Sequence, residues 1–227
     1  KTLEDDELGP IYEAVNQLLN YSQTYLQFSH RLVADYEALI RIRERANPRH
    51  KWHTPRIKAF AVEIGKALAL ENDELDDLAT AAGLHDIGYT AGAVLPSADR
   101  MGLDLQHPQL GYDLIEDLPL SEDIKRGVLT HHEWIDGSGT PNGLVNDDIP
   151  WTGKILGMAE FIVDFVEQNL HSDTMAMDDE EQKIDELTNA LVERADQQFD
   201  MVLVPQAVAL VKQLGWKKCI ELGTTPE

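Results

Sequence analysis

The chain has 227 residues, 43% of them hydrophobic, enough to build one sizeable core and too many for wholesale disorder. Its 41 acidic side chains outnumber 19 basic ones, for a formal net charge of −22, and such a surface repels phosphate backbones and anionic lipid, which argues against nucleic-acid and membrane partners. A lone cysteine, Cys219, excludes an intramolecular disulfide or thiolate cluster and points to a reducing, cytoplasmic compartment.

No apolar run reaches membrane-spanning length, and the N-terminus has no basic-then-apolar signal pattern. The chain opens at Lys1 rather than at a methionine, which predicts a region upstream. From Leu8 to Arg43 the apolar pattern is helical. Leu8, Ile11, Val15, Leu18, Tyr25, Leu32, Tyr36 and Leu39 follow three- and four-residue steps, while Tyr12, Leu19, Leu26, Val33 and Ile40 recur every seven. Together these rows form a broad apolar face. Ser22 and Ser29 weaken it near the middle, so either one long helix or a helical pair is expected. It either packs on its own domain or dimerises and relays a signal from upstream.

Ala46-Asn47-Pro48 should end that helix, because the residue before proline avoids helical torsions. A second helix is expected from about His53 to Leu70, and a third, capped by Asn72 or Asp73, ending near His85-Asp86. Gly88 to Gln106 reads as a loop, and His107-Pro108 as a helix start. Ser121 caps a helix reaching His131-His132, Gly137 to Gly143 is a turn-rich loop, and Pro150 opens a long helix. Two more helices, about Asp178–Gln197 and Val204–Leu214, complete an all-α chain without strand alternation. The expected division is residues 1–47 as an N-terminal helix or helical pair and 48–227 as the chemistry-bearing domain.

Five histidines, His53, His85, His107, His131 and His132, fall at expected helix ends beside small or turn residues. A single His-Asp pair means little at this composition, and each histidine alone reads more readily as a turn or helix-end residue than as a ligand. As a set they predict a shared cleft. Imidazole suits iron, zinc or manganese, and the carboxylate of Asp86 has two oxygens with which to bridge two ions. Two such ions clamp a phosphoryl group and hold a hydroxide for in-line attack. They also offset the acidic field that repels an anionic substrate.

These residues resemble the HD superfamily of metal-dependent phosphohydrolases, specifically its HD-GYP branch. The resemblance rests on HTPR at His53–Arg56, LHDIG at Leu84–Gly88, His107-Pro108 with Gly111, HHEWIDGSGTPNGL at His131–Leu144, and Ile149-Pro150 before the long helix. It implies an HD-domain helical bundle with an N-terminal helical extension. It also implies a first metal on His53, His85, Asp86 and Glu160, where the family more often has aspartate. A second metal would take Asp86 as bridge with His107, His131 and His132, and Asp86 would act together with a metal-bound hydroxide. A third metal is not expected, because the position of its glutamate is Arg49. The implied metals are two divalent ions, iron ahead of manganese or zinc. The implied ligand is cyclic di-GMP or a related cyclic dinucleotide. Implied partners are a second copy of the chain and signalling proteins such as diguanylate cyclases.

The chain departs from the family pattern where substrate would be held. Tyr89 replaces the lysine after HDIG, Thr140 replaces the tyrosine of Gly-Tyr-Pro, and NLHSD at Asn169–Asp173 lacks the usual arginines. Each lost charge-assisted contact is worth about 1.5–3 kcal/mol, which predicts weaker cyclic di-GMP binding unless Lys154, Arg126 or Arg56 compensates. Arg56 reads equally as the structural partner of a carboxylate. Asp164, four residues after Glu160, shares its helix face and is expected either to orient a metal-bound histidine or to stay solvated. Trp134 stacks on a base or packs as a core aromatic. A regulatory module that keeps its metals and has lost most hydrolysis is the competing expectation.

Overall fold

The structure is a computed structural model and describes residues 9–45, 52–93, 102–170 and 178–224. Eight α-helices occur among them: α1 (Gly9–Arg45), α2 (His53–Ala67), α3 (Asn72–Leu84), α4 (Leu103–Ile115), α5 (Glu122–Thr130), α6 (Trp151–Asn169), α7 (Asp178–Glu193) and α8 (Leu203–Glu221). The only β-structure among the described residues is two isolated bridges, Asp136 with Val145 and Ala195 with Phe199. The all-α expectation holds, and none of these helices is long and apolar enough to cross a membrane. The Asn47-Pro48 turn, Arg49, His50 and His171–Asp173 lie outside the described residues.

The core forms where helical spacing aligns apolar side chains. Ile57, Phe60, Ala61 and Ile64 make one stripe of α2, and Ile155, Leu156, Met158, Ala159, Ile162, Val163 and Val166 line α6. All are buried, and each large aliphatic among them contributes about 1.5–3 kcal/mol by leaving water. α2 packs on α3, α6 and α8, while α5 is enclosed by α3, α4 and α6. Trp216 of α8 closes the far side, its ring set edge-on to Phe165 at 6.3 Å.

Helix α1 is one continuous helix, not a pair. Its first two turns and beyond leave Ile11, Tyr12, Val15, Leu18 and Leu19 exposed. Its last third carries buried Ile40 and Glu44 and packs on α2, α3 and the turn at 87–93.

Three boundaries differ from the sequence expectation. The N-cap of α3 is Glu71, not Asn72 or Asp73; its carboxylate accepts from the third helical amide, and Glu74 accepts from Glu71 in return. The expected 88–106 loop contains a 3₁₀ helix at Ile87–Ala93, and α4 already begins at Leu103. Pro108 therefore lies inside α4 rather than at its start. A proline there removes the amide that would bond the Asp104 carbonyl, and the Nδ1–H of His107 donates to that oxygen instead, at 2.8 Å. In α8 the backbone leaves helical torsions at Gly215, φ 72°, next to the expected end at Leu214.

Candidate metal centre

Helix ends deliver the histidines. His85 follows the last residue of α3 and His131 the last residue of α5, where main-chain carbonyls lack helical partners. Each imidazole donates Nδ1–H to the carbonyl three residues before it: His85 to Ala82 at 2.8 Å and His131 to Val128 at 2.7 Å. His107 does the same within α4. A carbonyl only accepts, so all three neutral rings carry their proton on Nδ1 and present the lone pair of Nε2. Ordered partners of this kind fix both tautomer and orientation in metal-binding histidines.

Close backbone approach brings these ends together. A Cβ at Gly88 would fall 2.0 Å from the His107 carbonyl oxygen, and one at Gly157 of α6 would fall 2.4 Å from that of His131. Only glycine permits either contact.

The result is a shared cluster. Asp86 Oδ1 lies 3.5 Å from Nε2 of both His85 and His107, and Nε2 of His107 lies 3.1 Å from Nε2 of His131. Ligand-type atoms of His53, His85 and Asp86 lie within 4.8 Å of one another, as do those of His107, His131 and His132, and those of Asp86, His131 and Glu160. His132 Nε2 is 3.7 Å from Glu160 Oε1. All seven residues expected to ligate metal are thus brought to one place. Asp86 belongs to two of these groups. His53, Asp86, Glu160 and Asp164, with Arg43, Glu44, Tyr89 and Asp104, line a cleft of about 380 Å³.

The donor set fits cations on three observations. Nε2 of His85 is buried without a hydrogen-bond partner. His107 and His131 point two lone pairs at each other across 3.1 Å, within the roughly 3.0–3.4 Å separation of neighbouring nitrogens about 2.1 Å from one octahedral or tetrahedral ion. Burial, reinforced by Asp86 and Asp164, raises the Glu160 carboxyl well above its ordinary range, so the cluster is short of positive charge.

The remaining electrostatics divide the histidines. Burial, with the neighbouring imidazoles, lowers His107 and His131 and brings His132 down to about 4, so all three are neutral near pH 7. Burial also opposes charge on His53, but its bond to Glu167 and the nearby Asp86 and Glu160 raise it to about 9. Burial works against ionisation of Asp86, yet His85, His53, His107 and Arg43 hold its carboxyl well below the usual carboxylate range.

The residues expected to hold substrate or orient ligands separate. Tyr89 is at the cluster, stacked on His107 with ring centroids 4.2 Å apart. Thr140 touches it through its backbone, its amide donating to the His132 carbonyl at 3.0 Å. Lys154 does not line the cleft; it is bound to Asp200 at 2.7 Å beside another hollow, with Trp151 below it. Arg126 is likewise elsewhere, donating to the Asp148 carbonyl at 2.8 Å. Arg56 is buried and pairs with Glu167 at 3.0 Å. Asp164 lies 3.9 Å from His53 Nδ1, whereas Glu167 lies 3.2 Å from it. Trp134 is partly exposed, 38%.

Four neighbours of the cluster had no role assigned from the sequence: Arg43, Glu44, Glu133 (within the HHEWIDGSGTPNGL run) and Glu167. Buried Glu44 accepts from both the amide and the hydroxyl of Thr54, at 2.8 and 2.6 Å, and so ties the end of α1 to the start of α2 beside His53. Buried Glu133 accepts from the amides of Asn142 and Leu144 at 2.6 and 2.9 Å, holding the 137–144 loop against the histidine pair. Glu167 had a sequence signal: Glu160, Asp164 and Glu167 follow i, i+4, i+7 spacing on one helix face.

A family model described as an HD domain matches residues 33–202. The chain belongs to the HD-domain family. That family binds divalent metals, and the clusters above supply suitable donors. Among similar curated proteins, the 3′3′-cGAMP-specific phosphodiesterase 2 of Vibrio cholerae is 28% identical over 162 residues, covering 67% of this chain and 30% of its own length. The cyclic di-GMP phosphodiesterase response regulator RpfG of Xanthomonas campestris is 31% identical over 133 residues, covering 54% and 35%. This chain therefore spans about a third of the length of these relatives. An HDG"Y"P protein from Bdellovibrio bacteriovorus shares the fold, with a TM-score of 0.54 and 17% identity over 70% of this chain and 51% of that one.

Proposed function

We propose that this chain is a phosphodiesterase-type hydrolase that opens a cyclic dinucleotide, cyclic di-GMP or a relative of it, in the cytoplasm. The observation that carries this reading is Asp86 Oδ1, equidistant at 3.5 Å from His85 Nε2 and His107 Nε2. One carboxylate shared by two histidine groups is the arrangement a pair of cations requires. His53, His85, Asp86 and Glu160 would hold one divalent ion, and Asp86, His107, His131 and His132 the other, with iron ahead of manganese or zinc. Bound there, the ions supply Lewis acidity and lower the pKa of water.

The chain's own residues prepare that chemistry. The carbonyls of Ala82, Asp104 and Val128 hold three imidazoles in the ligating tautomer. Glu133 fixes the adjoining loop through the amides of Asn142 and Leu144. In the reaction, water oxygen bonds to phosphorus, one phosphorus–oxygen ester bond breaks, and the departing sugar oxygen gains a proton from solvent. The names of the relatives support the substrate class.

A second reading is favoured by one observation. Lys154 and Arg126 are both engaged away from the cleft, which leaves few cations for substrate among the described residues and favours a regulatory module of weak turnover. The exposed rows of α1, repeating every seven residues, support a second copy of this chain as partner. Signalling proteins such as diguanylate cyclases are further candidates.

The deciding experiment loads the protein anaerobically with iron or manganese, measures metal content, and follows cyclic di-GMP and 3′3′-cGAMP by chromatography. Linear products are expected. Calorimetric binding without products would favour the regulatory reading, and a fully loaded protein that neither binds nor cleaves a cyclic dinucleotide would end both.

A further inference from the structure

The cleft at the cluster is lined by the carboxylates of Glu44, Asp86, Asp104, Glu160 and Asp164, and among its described lining residues only Arg43 is a lysine or arginine. We propose that Arg43, delivered from the last turn of α1, is the side chain that receives the phosphate of the substrate, and that Tyr89 holds it in place for this. The proposal rests on the phosphodiesterase reading for its substrate and adds a residue that the sequence motifs do not contain.

The geometry separates Arg43 from Arg56 and Lys154, two other described cations. Arg56 is consumed by Glu167 in a buried pair, and Lys154 by Asp200, with only 7% of its side chain exposed. The Arg43 side chain is 45% exposed and makes one longer contact, Nη1 to Asp86 Oδ2 at 3.3 Å. A guanidinium has five N–H donors in a planar fork, so this contact leaves donors facing the cleft. Its plane is supported as well: the guanidinium carbon lies 3.8 Å from the centre of the Tyr89 ring, an arrangement that favours the cation electrostatically.

Tyr89 is itself fixed. Its other face stacks on His107, the two planes 13° apart, and its hydroxyl donates to Asp104 Oδ1 at 3.0 Å. Arg43, Tyr89 and His107 therefore form a continuous stack from the cleft mouth to the cluster. The next residue, Glu44, is bonded twice to Thr54, which anchors the backbone from which Arg43 reaches. An arginine prepositioned beside the shared carboxylate, with open donors in an acidic cleft, suits a phosphodiester oxygen. If it served only to neutralise Asp86, its removal would alter metal binding and leave phosphate affinity alone.

The test uses metal-loaded protein and two probes, inorganic phosphate by calorimetry and cyclic di-GMP by steady-state kinetics, for the wild type, Arg43→Ala and Arg43→Lys. Metal content and circular dichroism are measured for each. Arg43→Ala is expected to weaken phosphate binding about tenfold to a hundredfold and to raise KM for the dinucleotide by a similar factor, with metal content unchanged. Arg43→Lys should recover only part of this, because an ammonium lacks the planar fork. Unchanged phosphate affinity in Arg43→Ala, metal loss that accounts for the whole effect, or a loaded wild type that does not bind phosphate would each overturn the proposal. A drop in phosphate affinity with no wild-type action on any cyclic dinucleotide would uphold Arg43 and reject the substrate reading.

Discussion

Glu167 accepts from Nδ1 of His53 at 3.2 Å through one oxygen while its other oxygen takes the guanidinium of Arg56 at 3.0 Å. A neutral His53 therefore carries its proton on Nδ1, and a helix-tail carboxylate far away in sequence decides how that ring meets the cluster. Glu167→Gln keeps the size and removes the charge. It should lower metal affinity about 10–100-fold, read by competition with a chelator. Equal affinities for the variant and the wild type would show that Glu167 merely packs.

Arg56→Ala addresses the same pair from the other side. It leaves Glu167 buried with its charge less compensated, and loss of one partner of such a pair costs about 3–5 kcal/mol. The expected readout is a lower urea midpoint with an unchanged slope. A midpoint within error of the wild type would place Arg56 outside the structural role.

Metal stoichiometry should divide by group. His131→Ala is expected to reduce bound metal from about two ions per chain to about one, and Asp86→Ala to less than one, because Asp86 serves both groups. Elemental analysis of anaerobically prepared protein checks this. If Asp86→Ala retained both ions, the bridging assignment would fail.

The stability of metal-free protein should fall as pH rises from about 6.5 toward 9. His53 is raised to about 9 in the folded state, so its contribution is complete below the unfolded value of about 6.5 and fades as pH rises toward 9. His132 is lowered to about 4, and His107 and His131 are lowered too. At these three histidines the unfolded chain binds more protons below about 6.5, so their contribution is lost as pH drops toward 4, while Glu160, raised in the folded state, gains stability as it protonates and opposes that loss. Thermal midpoints across pH 4 to 9.5 in chelator measure both limbs. In His53→Gln the alkaline limb should flatten.

The exposed rows of α1 predict self-association. Leu18, 74% exposed, lies on a seven-residue row with Ile11 and Tyr25. Sedimentation should show a dimer for the wild type and a monomer for Leu18→Glu. A monomeric wild type at tens of micromolar would remove the second copy from the list of partners.

Much of the centre was legible because its residues announce themselves locally. Histidines at helix ends beside small or turn residues are where imidazoles meet unsatisfied carbonyls, and this is how His85 and His131 are held. The helical face of α2 and the Ser121 cap, which accepts from the Ile124 amide at 3.2 Å, followed from spacing and residue type alone. What was not legible depends on contacts distant along the chain. Arg43 on its own reads as one more solvated charge on α1, and only its approach to Tyr89 and Asp86 distinguishes it. Pro108 looked like a helix start because proline favours that position. Inside α4 it is tolerated where the His107 side chain satisfies the carbonyl that proline leaves unbonded. Lys154 stood with Arg126 and Arg56 as a candidate to replace the lost phosphate contacts, yet Asp200, far along the chain, claims it.

Helix α1 joins two very different environments. Its 37 residues form a rod about 55 Å long, with apolar rows bare at one end and Arg43 against Tyr89 at the other. Main-chain hydrogen bonds stiffen such a rod against twisting. One rigid element therefore holds the bare apolar rows and the guanidinium over Tyr89 at a fixed separation, the far end tied to the core through Ile40 and Glu44.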